Sequence, residues 1–139
     1  TSLREKGVLI IGSGMSFHNF GYFFARDSAT TKLGHKHSHI FNSFLHDTLL
    51  SSEVVVPLEK KVQIMSDWAS ACPSSREAHP IQQEDHLIPL HVAMGAGLGD
   101  GFTGGAGSNS SSTSRCRAVG VNDYSSDEYA FSNFEWTDE

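Results

Sequence analysis

The chain has few cysteines, few basic residues and no long apolar run, and each shortage closes a class of function. Its two cysteines, Cys72 and Cys116, lie far apart and outside any metal or redox spacing. Free thiols suit a reducing compartment, so a cytoplasmic location is expected. Lys and Arg number 10 against 16 Asp and Glu, a formal charge of −6. The acid crowds the end of the chain, at Asp123, Asp127, Glu128, Glu135, Asp138 and Glu139. A nucleic-acid partner needs a basic face; the basic groups Lys60-Lys61 and Arg115 with Arg117 read as solvated surface. No apolar stretch approaches the roughly 20 residues that cross a bilayer, since the longest, 87–98, is broken by Pro89 and His91. Neither nucleic acid nor membrane is therefore an expected partner. No basic start precedes an apolar run, so no secretory signal is read. The first residue is Thr1 instead of methionine, which leads us to expect sequence upstream.

What remains is 139 residues with 38% hydrophobic and 10% aromatic content, enough for one domain with a core. Gly7-Val8-Leu9-Ile10-Ile11-Gly12 is a short apolar run between glycines. It reads as a strand buried on both faces of a parallel or mixed sheet. The chain then turns at Ser13-Gly14 and delivers His18-Asn19, where α/β folds often line a site. Ile40, Phe41, Phe44, Leu45, Thr48 and Leu49 recur at helical spacing and predict a helix of about three turns. Leu58, Val62, Met65, Ala69 and Cys72, with Trp68, predict a second, opened by Pro57. Pro73-Ser74-Ser75 reads as a loop, and a third helix is expected near Pro89 with Leu90, Ala93, Met94 and Gly97. Residues 1–98 thus form the folded part and 99–115 a Gly/Ser-rich mobile loop. Residues 116–139 form an acidic tail whose Tyr129, Phe131, Phe134 and Trp136 suggest an edge strand, with a slip at Asn133.

Histidine is the abundant chemical group, at eight residues. His18, held beyond a strand by a glycine turn, suits a general acid or base; a histidine bonded to loop backbone is the plainer alternative. His86 precedes Leu87-Ile88-Pro89 at a helix start, where it can serve as a metal ligand of fixed position. Glu84 and Asp85 beside it are equally explained by the helix dipole. His79-Pro80 reads as an extended stop before that helix, and His91 as pointing to a different face. His35, His37 and His39 alternate in a polar loop, where solvent exposure is the simpler reading and metal binding the sharper one. Gly12-Ser13-Gly14 is no phosphate loop, because the lysine and the remaining glycine are missing.

The order of these motifs carries more than any one of them. A strand, Ser-Gly-x-x-x-His-Asn, two helices, Ala-His-Pro and His-Leu-Ile-Pro-Leu-x-Val-x-x-Gly-Ala resemble the class III extradiol ring-cleavage dioxygenase superfamily. That superfamily includes protocatechuate 4,5-dioxygenase beta subunits and 4,5-DOPA dioxygenases, and the DOPA branch is the nearer. The resemblance runs from about Leu3 to Gly97 and covers what looks like the C-terminal half of the family's domain. It implies an α/β fold, a mixed sheet with flanking helices. It implies an enzyme using Fe(II) or Zn(II) to open a catechol-type ring with dioxygen. His18 matches the acid/base that can also approach the metal, and His86 matches a metal ligand. Asn19 and Ser13 fall where a substrate-side or supporting role is implied. The family's other metal histidines lie in the amino-terminal half, which would be supplied upstream or by a separate chain. The link from His79 to His86 is about two residues longer than in relatives, through Ile81-Gln82-Gln83. Two rivals stand beside this reading: an inactive relative kept as a binding or structural module, and an unrelated zinc-binding α/β domain.

Overall fold

The computed structural model describes residues 3, 6–52, 54–98, 116–120, 124–125 and 128–138. These are mostly helical: α1 (Phe20–Phe23), α2 (Ser28–Leu49), α3 (Leu58–Ser66), α4 (Trp68–Ala71), α5 (Ser75–Ala78) and α6 (Ile88–Leu98). Four short strands follow: β1 (Cys116–Gly120), β2 (Tyr124–Ser125), β3 (Ala130–Phe131) and β4 (Phe134–Asp138). They pair as two separate antiparallel ladders, β1 with β4 and β2 with β3. The mixed sheet expected from the sequence does not form among the described residues.

The longest element is twice the length its apolar spacing predicted. Asp27 caps α2, its carboxylate accepting from the Thr30 amide at 2.8 Å. Satisfying an otherwise orphaned amide there fixes where the helix starts. The buried stripe then runs Gly34, Ser38, Phe41, Leu45, Thr48 and Leu49, one face at helical period. Its first half is invisible to a search for apolar residues because it is glycine and serine. Gly34 is needed there: a Cβ would sit 2.6 Å from the Tyr22 side chain and 2.8 Å from the Tyr129 hydroxyl. Ser38 resolves its own burial, donating to the His35 carbonyl at 2.8 Å and accepting from the Ala130 amide at 3.0 Å. That second bond fastens β3 onto α2.

The second predicted helix is divided. Pro57 opens α3, where its fixed φ and missing donor cost nothing, and the Pro57 carbonyl takes the first helical bonds. At Asp67 the backbone leaves helical geometry, φ −108° and ψ 27°, and α4 resumes from Trp68. The expected loop at Pro73-Ser74-Ser75 is shorter than predicted, for Ser75 already begins α5.

The core gathers Phe17, Phe41, Leu45, Leu49, Met65, Cys72, Ala78, Leu87 and Met94. The expected edge strand is not a loose tail, since Tyr129, Phe131, Phe134 and Trp136 all pack on this core. The slip read at Asn133 corresponds to a break between β3 and β4. α6 lies against β4 so closely that a Cβ on Gly97 would strike the Trp136 side chain at 2.4 Å.

The apolar run 8–11 departs most from expectation. It has no ladder partner among the described residues, and Leu9 and Ile11 are 80% and 77% exposed. A central strand is buried only when neighbours occupy both edges and both faces; among the described residues α6 and β4 face it across a cleft of about 420 Å³, and the Val8 amide bonds the Leu3 carbonyl at 3.0 Å. The region 99–115, read as a mobile loop, lies outside the described residues.

Candidate functional site

Two segments far apart in sequence build the site: residues 12–19, and the stretch from α5 through His86 into α6. Gly12 and Gly14 explain how closely they meet. A Cβ on Gly14 would fall 2.2 Å from the His86 carbonyl oxygen, and one on Gly12 2.4 Å from that of Pro89. Only glycine permits backbone against backbone at this distance. Further along, the His18 amide donates to the Ala78 carbonyl at 2.9 Å and the Asn19 side-chain amide to the Glu77 carbonyl at 2.8 Å. Tyr22 adds a charge-assisted bond of 2.5 Å from its hydroxyl to the Glu77 carboxylate. Burial and that carboxylate push its phenol up to about 12.

The result is a stacked pair of imidazoles. The rings of His18 and His86 lie 3.7 Å apart, centroid to centroid, and 8° from parallel. Phe20 closes the other side of His18 edge-on, at 4.4 Å. His18 is buried, whereas the His86 side chain keeps 39% exposure. Both Nδ1 atoms are buried without a hydrogen-bond partner, as is the Nδ1 of His79. Burial first, then the His86 ring, lower the pKa of His18 from its ordinary value, against opposing effects from Asp85 and the Gln83 backbone. A neutral imidazole with a free lone pair is a proton acceptor.

The link from His79 to His86 turns outward. Pro80 and Gln83 close a turn, amide to carbonyl at 2.9 Å, and Gln82 takes φ 69°. Ile81 projects outward at 72% exposure. The link therefore forms an outward loop, and His86 at its end stacks on His18. Arg76 clips the ends of this link, pairing with Glu84 at 2.6 Å and lying over the Trp68 ring at 5.1 Å. This accounts for Glu84 more directly than a helix dipole does.

The remaining predicted residues are dispersed. Ser13 is exposed on the turn. Asn19 spends its amide on Glu77 and its oxygen on capping α1 through Gly21, so it fixes the His18 backbone and makes no bond to the ring. His35, His37 and His39 are not in a loop but in α2, where a 3.6-residue period separates them. His35 meets the Tyr129 ring edge-on at 4.6 Å, and His37 bonds Ser74 at 2.9 Å. His91 is packed, its two nitrogens facing the carbonyls of Leu87 and Met65.

The important residue missed by sequence reasoning is His79. It is fully buried, with its Nε2 2.9 Å from the Ser16 carbonyl. Its signal was its place in the Ala-His-Pro motif, which a chain stop before the proline explains equally well.

The donor set fits a metal ion in part. His86 offers a buried, unpartnered Nδ1, and its Nε2 lies 3.9 Å from the Asp85 carboxylate, too far for a hydrogen bond. His86 would hold such an ion through Nδ1, with the parallel His18 ring 3.7 Å away. Among the described residues no group of three or more His, Cys, Asp or Glu gathers to complete a site.

No family model, no curated protein and no solved structure matches this chain.

Proposed function

We propose that this chain is part of a class III extradiol dioxygenase of the DOPA dioxygenase type, opening a catechol ring with dioxygen. The single observation that carries the reading is the His18–His86 stack, because it unites the two motifs on which the resemblance rests. In this reading His86 is one ligand of Fe(II), with Zn(II) as the alternative occupant, and further ligands come from outside these 139 residues in cis or in trans. When bound, the metal supplies the means of holding catecholate and dioxygen together and of passing electron density between them. His18, neutral and one stacking distance away, takes a proton from a catechol hydroxyl and later returns one to oxygen. Both atoms of dioxygen enter the product as the ring bond beside the diol breaks, so no outside reductant is consumed. A mixed-sheet α/β architecture belongs to the same proposal. Exposure alternates along Val8, Leu9, Ile10 and Ile11 at 44%, 80%, 38% and 77%, as in a strand covered on one face.

The experiment is direct. Chain purified with its upstream sequence is loaded anaerobically with ferrous iron, its iron content is checked, and catechol and air are added. A coloured ring-opened semialdehyde that vanishes in His18→Ala supports the reading. Verified iron without product defeats it.

A second reading is an inactive relative retained as a binding or structural module. The exposed apolar run at residues 8–11, a surface open to a partner, favours it. It predicts no ring opening under any metal load, with an intact fold.

A further inference from the structure

We propose that His79 is a positioning residue for this site, acting through the Ser16 carbonyl to hold the His18 ring over His86. The inference rests on reading His18 and His86 as the working pair. It goes beyond that reading by assigning a role to a third histidine that touches neither substrate nor metal.

His79 is the most thoroughly enclosed imidazole of the site, at 0% exposure. The rings of Phe41 and Trp68 meet it at 5.5 Å and 5.7 Å, steeply inclined, and so fix its plane. That plane brings Nε2 to 2.9 Å from the Ser16 carbonyl. A carbonyl only accepts, so Nε2 must carry the proton and Nδ1 is left as a bare lone pair. Nδ1 itself is buried without a hydrogen-bond partner, with the Gln83 backbone close to the ring.

Ser16 lies two residues before His18, and the other bonds from this strip fall at His18 and Asn19. The His79 ring, the Ala78 carbonyl and the Glu77 carbonyl therefore grip residues 16, 18 and 19 in order. Two of these grips are backbone carbonyls that any residue could supply. The third needs a side chain that donates from inside an apolar wall without bringing a charge. Neutral imidazole meets that need and an aliphatic residue does not, leaving the Ser16 carbonyl unpaired and the turn before His18 free to move. Burial keeps the ring neutral, with its pKa lowered to about 4.

The test reads geometry without iron or catechol. Imidazole NMR of the metal-free chain reports the tautomer of each histidine and the ring-current shift that His86 imposes on His18, defined by its disappearance in His86→Ala. In the native chain His79 should appear as the Nε2–H tautomer, and the Nδ1–H tautomer would overturn the proposal whatever the variants do. In His79→Leu the His18 shift should be lost while the helical circular dichroism persists. His79→Gln, which restores an uncharged donor, should regain it. A folded His79→Leu that keeps the His18 shift also overturns the proposal. Failure of ring opening with these shifts intact would count against the dioxygenase reading alone, and loss of the His79 effect in an active enzyme would count against this inference alone.

Discussion

The His18 and His86 rings lie face to face at 3.7 Å, brought together across sixty-eight positions of chain. The two rings differ in surroundings: His86 keeps 39% side-chain exposure, while His18 is buried with its pKa lowered. Under the proposed function His86 would hold the metal and His18 would exchange the proton.

Metal retention should therefore separate the two residues. Losing an outer partner of a metal ligand typically weakens binding roughly 10–100-fold, and losing the ligand costs at least that. Ferrous or zinc binding, measured by competition with a chelator, should fall at least about tenfold in His86→Ala and change little in His18→Ala. Equal losses in both would mean that His18 also holds the metal, and the division of roles would be wrong.

Glycine substitutions should have opposite signs at two positions. Gly14→Ala drives a methyl group into the His86 carbonyl, backbone that cannot swing aside, and should destabilise by about 1–3 kcal/mol, as overpacking does. Gly95 lies within α6 with nothing near its absent side chain. Alanine there should stabilise by up to about 1 kcal/mol, from helix propensity alone. Urea unfolding of the two variants checks both signs, and a neutral Gly14→Ala would mean the two segments are not in contact.

These contrasts show what sequence could reveal here. His18 and His86 were legible because each sits in a motif whose flanking glycines and prolines restrict the backbone. The apolar halves of α2, α3 and α6 were legible because Phe, Leu, Val and Met mark a buried face by period. The front of α2 was not, since its buried positions are Gly34 and Ser38, chosen for closeness to Tyr22 and for bonding to Ala130. The same blindness turned His35, His37 and His39 into a loop. Residues 8–11 fail for the opposite reason. Apolar composition states a preference for burial, but burial needs partners that composition cannot name.

Stability should depend on pH through His79. Its folded-state pKa is lowered from 6.5 to about 4, chiefly by burial. Between those values the unfolded chain holds a proton that the folded chain refuses, so stability is fully present above about pH 6.5 and is lost as pH falls toward 4. The linked change is on the order of 3 kcal/mol, and His18 shifts in the same direction. Unfolding free energies at pH 7 and pH 4.5 should differ by less in His79→Gln than in the native chain. Identical pH slopes would show that His79 is not buried as a neutral ring.

Residues 8–11 should make the isolated chain self-associate. Single exposed apolar side chains are ordinary on protein surfaces, but Leu9 and Ile11 stand on one face of an extended run with no ladder partner among the described residues. Such a run offers another chain both apolar surface and backbone groups outside any ladder. Val54 is exposed still further, at 94%, yet it lies in a turn where the neighbouring Val55 and Val56 amides bond back to Ser52. If exposure alone drove association, Val54→Lys would suppress it as well as Leu9→Lys with Ile11→Lys. If strand-like pairing drives it, only the double variant should restore a concentration-independent sedimentation coefficient, with the helical circular dichroism of both unchanged. A native chain that stays monomeric across the accessible concentration range would mean that this face is already covered.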